Sequence, residues 1–184
     1  SKWLNNYYLE WGVNVVLYNY RGYGRSTGTP DPVSLCRDAE RLLLFLQNSS
    51  LGLKGPFGVH AESIGGVVAT HLARYSQRTG VELLIADRTF GCLPDTAHYL
   101  MGAWAKNGLR ILRGWEADNS VNYVLAHGVN KVCLNDPVDN MIAFPSSLTV
   151  SLAKLVVESC LGTSKKNEAS KMLKEQYYNA LVSH

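Results

Sequence analysis

Ser63 is the residue whose type and setting most clearly suggest chemistry. It lies in residues 59–66, VHAESIGG, where a predicted strand ends and a predicted helix rich in small residues begins. A serine at such a turn can act as a nucleophile, because the turn lifts its hydroxyl above the sheet and points the N–H of Ile64 at a developing oxyanion. The turn needs small residues two positions before and after the serine, and Ala61 and Gly65 meet that need. The alternative interpretation is that Ser63 simply begins a helix as its N-cap.

Alternating strands and helices must position this serine. Short apolar runs alternate with amphipathic segments of helix length along the chain, and no internal repeat interrupts them. Strands are predicted at 13–18, 57–60, 83–86 and 131–135, and helices at 3–11, 31–46, 65–75, 94–112, 146–161 and 168–181, with 121–126 adding a further helical turn or two. Continuous apolar strands of this kind predict an α/β fold, with a mostly parallel sheet and helices on both faces. Residues 1–184 are interpreted as one partial domain that lacks N-terminal strands and a last strand, with 162–184 as a polar helical C-terminal segment.

Four segments together resemble the α/β-hydrolase superfamily over essentially all of residues 1–160. They are the serine turn at 59–66, the strand and loop VNVVLYNYRGYGRSTG at 13–28, ADRTF at 86–90, and KVCLNDPVDNMI at 131–142. The nearest resemblance is to the acyl-ester and lipid serine hydrolase branch, including phosphatidylserine lipases, protein depalmitoylases and related protist proteins. The resemblance implies cleavage of an acyl ester or thioester, possibly of a lipid, through an acyl-serine intermediate, with no metal and no organic cofactor.

The resemblance also selects an acid and restricts the base. In the resembled pattern an aspartate after the strand is followed three positions later by an aliphatic residue, which selects Asp139 with Ile142. Asp136 and Asp87 remain alternatives, the first as a turn-initiating residue and the second because it ends the preceding strand. The order serine, acid, histidine then places the base after the acid. His184 is the only histidine after Asp139, so the base is either His184 or a residue beyond this chain.

Composition excludes several other classes of protein. The 184 residues carry a formal net charge of +3 without a basic run, which disfavours nucleic-acid binding. No apolar stretch approaches the roughly 20 residues of a membrane span, so membrane association would have to come through regions outside this chain. The four cysteines form no CxxC pair, which argues against a zinc or redox motif and favours an intracellular location, cytoplasmic or membrane-peripheral. In the glycine loop, Pro30 and Pro32 separate Gly28 from the next helix, which argues against a nucleotide site.

The start of the chain leaves the candidate site incomplete. Residue 1 is a serine, and the chain begins inside the first predicted helix, after the loop that supplies the second oxyanion donor in the resembled superfamily. We therefore interpret the chain as the middle of a longer hydrolase and expect the isolated segment to be inactive. A catalytically inactive hydrolase fold used for binding or structure is the alternative function. A peptidase of the same fold is a third hypothesis.

Overall fold

The computed structural model describes residues 7–53, 55–111, 115, 117–136 and 138–161. These residues fall into two compact units, which divide between Pro30 and Asp31. The second unit contains strands β1 Phe57–Glu62, β2 Val81–Asp87 and β3 Asn130–Leu134. Its helices are α1 Pro32–Asn48, α2 Gly65–Arg74, α3 Ser76–Thr79, α4 Leu93–Met101, α5 Ala103–Ile111, α6 Asn119–Leu125 and α7 Leu148–Leu161, with a 3-10 turn at Phe144–Ser146. The predicted helix at 168–181, the segment 162–184 and His184 lie outside the described residues.

The three strands form a parallel sheet in the order β1-β2-β3. Ala61 of β1 stands opposite Ala86 of β2, which in turn stands opposite Cys133 of β3. Helices α2 and α3 connect β1 to β2, and α4, α5 and α6 connect β2 to β3. The prediction of an α/β fold with a parallel sheet flanked by helices is confirmed. Because the strands are parallel, the segments that follow β1, β2 and β3 all leave the sheet at its carboxyl edge.

Helix α1 begins where the sequence predicts. The Asp31 side chain accepts a hydrogen bond of 2.9 Å from the Ser34 N–H, and Pro32 occupies the first turn, where its missing N–H costs nothing. The inward face of the helix is apolar and buried through Leu35, Cys36, Ala39, Leu43 and Leu46. This face packs against α2, so α1 supports the helix that begins at the serine turn.

Helix α2 covers one face of the sheet. Leu84 and Ala86 on that face are 0% exposed, and α2 packs against both β1 and β2. The residues that alternate with these on the other face keep more exposure, since Leu83, Val132 and Leu134 are 38%, 41% and 45% exposed. None of the helices in the described residues is long and apolar enough to cross a membrane.

Two predicted elements differ from the structure. Residues 13–18 are not a strand, and their apolar side chains remain exposed, for example Leu17 at 60%. A β-branched run favours a strand only where a neighbouring strand pairs with it, and no strand of the described residues does so. The single helix predicted at 94–112 is two helices, because the chain turns at Gly102 with a φ of +95° that favours glycine.

The glycine loop of the first unit is a tight reversal. Gly22 has a φ of +77°, and its N–H donates to the carbonyl of Thr27 at 3.2 Å. A Cβ at Gly22 would come 2.8 Å from the Pro30 ring and 2.9 Å from the Gly28 carbonyl. The glycine is therefore required by close packing of the loop on itself.

Candidate functional site

The chain turns from β1 into α2 at Ser63 and Ile64. Strand β1 ends at Glu62, helix α2 begins at Gly65, and Ser63 between them has a φ of +53°. Ser63 and Arg88 are the two non-glycine residues with positive φ among the described residues. A side-chain-bearing residue in this region costs about 1 to 2 kcal/mol, so its surroundings must hold it there. The strand, the turn and the helix predicted from residues 59–66 are present, and the serine between strand and helix has a strained backbone.

Hydrogen bonds on both sides of Ser63 hold the turn. The Ser63 N–H donates to the carbonyl of Asp87 at 3.2 Å. The Ser63 carbonyl accepts a hydrogen bond of 2.6 Å from the Thr89 hydroxyl and one of 3.1 Å from the Gly66 N–H. The first bond continues the β1–β2 ladder by one residue, and the other two close the first turn of α2 against the chain after β2. The strained backbone is thus fixed by contacts that cross between two strands.

Gly66 is a glycine because Thr89 occupies the space of a side chain. A Cβ at Gly66 would come 2.0 Å from the Thr89 Oγ1 and 2.8 Å from the Thr89 Cβ. The glycines of this helix were expected from the sequence to permit close packing, but neither Gly66 nor Thr89 was given a role at the turn, since the turn was taken to require small residues two positions on either side of Ser63 rather than three after it. The signal that could have found them is the second glycine of the Gly65-Gly66 pair, which the helix alone does not need.

Arg88 links the acidic side chains at the ends of β1 and β2. Its guanidinium lies 2.8 Å from the Glu62 Oε1 and donates to both oxygens of Asp87, at 3.1 and 3.3 Å. The hydrogen bond with Asp87, followed by the charges of Asp87 and Glu62, raises the pKa of Arg88. The side chains of Arg88 and Glu62 are 37% and 58% exposed, so solvent screens this pair. Asp87, an alternative for the catalytic acid, is therefore engaged by its neighbour.

Asp139 is held by the backbone of its own loop after β3. Its Oδ1 accepts hydrogen bonds from the N–H groups of Met141 at 2.7 Å and Ile142 at 3.0 Å. The bond from Ile142, then the bond from Met141, lowers the pKa of Asp139, and the charge of Arg88 acts in the same direction. Asp136 accepts a bond of 3.0 Å from the Val138 N–H, which is the turn-initiating role expected for it.

Ile142 connects the Asp139 loop to the core beneath the serine turn. It is 6% exposed and belongs to a buried cluster with Cys36, Val67 and Phe90. Val67 lies in the first turn of α2, and Phe90 follows Thr89. The aliphatic residue three positions after Asp139 therefore anchors the loop, while the aspartate caps it. That Asp139 orients a base, and that the Ile64 N–H binds an oxyanion, stay predictions.

The histidines that precede Asp139 occupy several places in the fold. His60 on β1 is half-buried, with its Nε2 3.8 Å from the Asp87 Oδ2. His71 on α2 has its Nε2 2.7 Å from the Glu40 Oε1 of α1. His98 lies in the last turn of α4, and His127 follows α6. His184, the residue considered as a base within this chain, lies outside the described residues. Within the described residues, no group of three or more His, Cys, Asp or Glu side chains could hold a metal ion.

Comparisons with known proteins give partial matches. No family model matches the chain, and no solved structure matches it. Protein bem46 of Schizosaccharomyces pombe is 35% identical over 89 residues, which are 48% of this chain and 29% of bem46. The multifunctional-autoprocessing repeats-in-toxin of Vibrio cholerae is 34% identical over 99 residues, 52% of this chain and 2% of the toxin. The uncharacterized protein YqkD of Bacillus subtilis is 30% identical over 98 residues, 52% of this chain and 32% of YqkD.

The matched part of this chain spans less than a third of the length of each of these relatives. Bem46 is an α/β-hydrolase-family member. The parallel sheet flanked by helices is consistent with part of such a fold. The similarity to bem46 and the architecture of the sheet and helices together point to the α/β-hydrolase superfamily and to no finer group within it.

Proposed function

We propose that this chain carries the nucleophile of a serine hydrolase that cleaves an acyl ester or thioester. The observation that supports it most is the positive φ of Ser63 at a turn between a parallel strand and a helix. The Ser63 hydroxyl attacks the acyl carbonyl, and the Ile64 N–H stabilises the oxyanion. A histidine base takes the proton of the Ser63 hydroxyl during the attack and passes it to the leaving group, and water then hydrolyses the acyl-serine. No step needs a metal or an organic cofactor.

Asp139 is the proposed acid that orients the histidine. Ser63, Arg88 and Asp139 follow β1, β2 and β3, so all three lie toward the carboxyl edge of one parallel sheet. The backbone hydrogen bonds on the Asp139 Oδ1 favour its ionised form, which is the form that stabilises an imidazolium. The proposed distance between carboxylate and Ser63 hydroxyl is about 7 to 9 Å, the span of one imidazole with a hydrogen bond at each end.

The proposed substrate carries a lipid-like acyl chain. Ile64, the neighbour of Ser63, is 46% exposed. Tyr99, Leu100 and Met101 at the end of α4 are 50%, 48% and 54% exposed, and Trp104 of α5 is 70% exposed. Large apolar side chains that remain this exposed to solvent suit the binding of an apolar ligand. A membrane-peripheral location would follow from such a substrate.

The test uses the full-length protein. It is treated with a fluorophosphonate probe and with p-nitrophenyl esters of increasing acyl length, as wild type and as Ser63→Ala. Ser76→Ala is the matched control, because Ser76 is a half-buried serine at the start of α3 whose hydroxyl donates to the His127 carbonyl at 3.4 Å. We expect labelling and turnover to disappear in Ser63→Ala and to persist in Ser76→Ala. Labelling that survives Ser63→Ala would refute the assignment of the nucleophile.

The acid and the base are tested with the same assay. Asparagine keeps the oxygen that accepts the backbone hydrogen bonds, so Asp139→Asn and Asp136→Asn both preserve their turns and remove only the charge. Asp139→Asn should lower kcat by up to about 10⁴-fold, as expected for the acid of a serine triad. Asp136→Asn should retain the wild-type rate. If Asp136→Asn lowers kcat and Asp139→Asn does not, Asp136 becomes the proposed acid instead. His184→Ala tests whether the base lies within this chain.

Two outcomes would favour the other hypotheses. A full polypeptide with a correctly formed Ser63 turn that neither labels nor turns over would favour a catalytically inactive hydrolase fold. Faster cleavage of peptide amides than of acyl esters would favour a peptidase.

A further inference from the structure

We infer that Thr89 is a positioning residue that sets the orientation of the peptide group between Ser63 and Ile64. The inference rests on the proposed function and concerns how the oxyanion donor is aimed. The Thr89 hydroxyl donates to the Ser63 carbonyl at 2.6 Å. Because a trans peptide group is planar, its C=O and N–H point in opposite directions. A carbonyl drawn toward Thr89 therefore directs the Ile64 N–H to the opposite side.

The proton of the Thr89 hydroxyl has a defined place. The Asn119 side-chain NH₂ lies 3.4 Å from the Thr89 Oγ1 and can only donate, so the hydroxyl accepts from Asn119. The Ser63 carbonyl can only accept, so the hydroxyl donates to Ser63. The hydroxyl thus has one rotor position that satisfies both neighbours. A hydrogen bond on the Ser63 carbonyl also polarises the peptide group and strengthens its N–H as a donor.

Asn119 is itself fixed in a buried setting. It is 0% exposed at the start of α6, its NH₂ donates to the Phe90 carbonyl at 3.0 Å, and its N–H donates to the Gly91 carbonyl at 2.7 Å. The Thr70 hydroxyl of α2 donates to the Asn119 Oδ1 at 3.3 Å. The Thr70–Asn119–Thr89 network therefore ties α2 and α6 to the serine turn. Thr70, Asn119 and Thr89 are 0%, 0% and 2% exposed, so bulk solvent does not reach their hydrogen bonds.

The absence of a side chain at Gly66 lets Thr89 reach the turn. Any Cβ there would lie 2.0 Å from the Thr89 Oγ1, so a larger residue would push the hydroxyl away from the Ser63 carbonyl. The glycine and the threonine therefore act as a pair. An alanine on α2, together with a residue smaller than threonine at position 89, could fill the same space. Filling space therefore does not by itself require the threonine, and the pairing gives Thr89 a further role.

The chain supplies a matched control for the loss of such a hydroxyl. Thr79 is 2% exposed, as is Thr89, and its hydroxyl also donates to main-chain carbonyls, those of Leu72 at 2.8 Å and Tyr75 at 3.1 Å. Those carbonyls belong to the end of α2 and its C-cap, a full helix length from the serine turn. Thr89→Ala and Thr79→Ala therefore remove equivalent hydrogen bonds from two places. Thr89→Ser keeps the hydroxyl and removes only the methyl group.

The test measures kcat, KM and the rate of Ser63 labelling by a fluorophosphonate in the full polypeptide. Losing an oxyanion donor outright costs about 10²- to 10³-fold in kcat, so misdirecting it by Thr89→Ala should cost about 10- to 100-fold. KM should stay within about 3-fold, since the acyl group still binds. Thr89→Ser and Thr79→Ala should stay within about 3-fold of wild type in both parameters. If Thr89→Ala does not fold, Thr89→Val replaces it, because valine refills the volume of the threonine.

Three results would overturn the inference. They are a wild-type labelling rate in Thr89→Ala, an equal loss in Thr79→Ala, and a loss in Thr89→Ser as large as in Thr89→Ala. Amide hydrogen exchange of residues 61–66 separates this inference from the proposed function. If wild-type Ser63 does not react at all, the proposed function fails. Faster amide exchange at 61–66 in Thr89→Ala but not in Thr79→Ala would still support the role of Thr89 in holding the serine turn. Unchanged exchange in Thr89→Ala refutes that role.

Discussion

The strain at Ser63 predicts an unusual order of stability among two variants. Ser63→Gly and Ser63→Ala both remove the hydroxyl, but only alanine keeps a Cβ at a φ of +53°. Relief of that conformation should favour glycine by about 1 to 2 kcal/mol. The greater freedom of glycine in the unfolded chain opposes this by about 0.4 to 1 kcal/mol. We therefore expect Ser63→Gly to be more stable than Ser63→Ala by up to about 1.6 kcal/mol, with about 0.8 kcal/mol at the middle of the two ranges, although neither variant retains the proposed nucleophile.

Ser49 provides the matched control for this comparison. It has a φ of −77° and a ψ of 154°, which any residue adopts, and its hydroxyl donates to the Leu46 carbonyl at 2.8 Å. At Ser49 only the unfolded-state effect remains, so glycine should be less stable than alanine by about 0.4 to 1 kcal/mol. The difference between the two sites cancels the unfolded-state effect and isolates the backbone strain.

Urea unfolding of the four variants in the full polypeptide measures these differences. The two variants of each pair are compared where the free energy of unfolding falls with urea at the same slope. A change in the urea midpoint then reports a change in the free energy of unfolding. Glycine favoured at Ser63 and disfavoured at Ser49 would confirm the strain. Glycine disfavoured equally at both sites would show that Ser63 is unstrained, and would remove the main support for its catalytic role.

Three further predictions concern the packing and titration of the same unit. Gly66→Ala, whose Cβ would come 2.0 Å from the Thr89 hydroxyl, should lower the free energy of unfolding by about 1 to 3 kcal/mol. Gly108→Ala, which meets nothing within 4 Å, should instead leave it unchanged or raise it by up to about 1 kcal/mol, and urea unfolding compares the two. Burial raises the pKa of Cys36 to about 12, so iodoacetamide at about pH 8 should modify it only as the protein unfolds, and prompt labelling would contradict this. Backbone hydrogen bonds lower the pKa of Asp139, so its stabilising contribution is present above the unfolded-state pKa of about 3.9 and is lost as the pH falls through the lower folded-state value. An NMR titration of this carboxyl with an ordinary pKa would refute that assignment.

Local signals in the sequence predicted the elements around the serine well. The Asp31-Pro32 pair marks the start of α1 by chemistry that involves only neighbouring residues, and the structure has the cap at that place. Strand β1 and helix α2 were predicted from residues 57–75, because an apolar run, a small-residue turn and a helical pattern follow one another there. The parallel sheet followed from apolar strands that alternate with helices.

Features that depend on distant partners were not predictable in this way. Residues 13–18 have strand composition, but a strand exists only through hydrogen bonds to a neighbour, which composition does not report. The break at Gly102 was missed because a single glycine in an amphipathic pattern is compatible with a continuous helix. Thr89 and Asn119 lie 26 and 56 residues after Ser63, so the contact of Thr89 with the serine turn and that of Asn119 with Thr89 appear only in three dimensions.

Strain alone does not distinguish Ser63 from Arg88, the other non-glycine residue with positive φ. Each follows the last residue of its strand, and each donates its N–H to the last residue of the next strand, Ser63 to Asp87 at 3.2 Å and Arg88 to Leu134 at 3.0 Å. The positive φ is therefore the geometry by which this chain leaves a parallel strand after one final ladder bond. The two residues differ in what their side chain and the following residues do. The Arg88 side chain folds back onto the acidic groups of β1 and β2, whereas Ser63 leads directly into α2. The assignment of Ser63 as the nucleophile thus depends on its hydroxyl and on the helix that begins beside it. The strained backbone conformation is what places the hydroxyl next to the start of that helix.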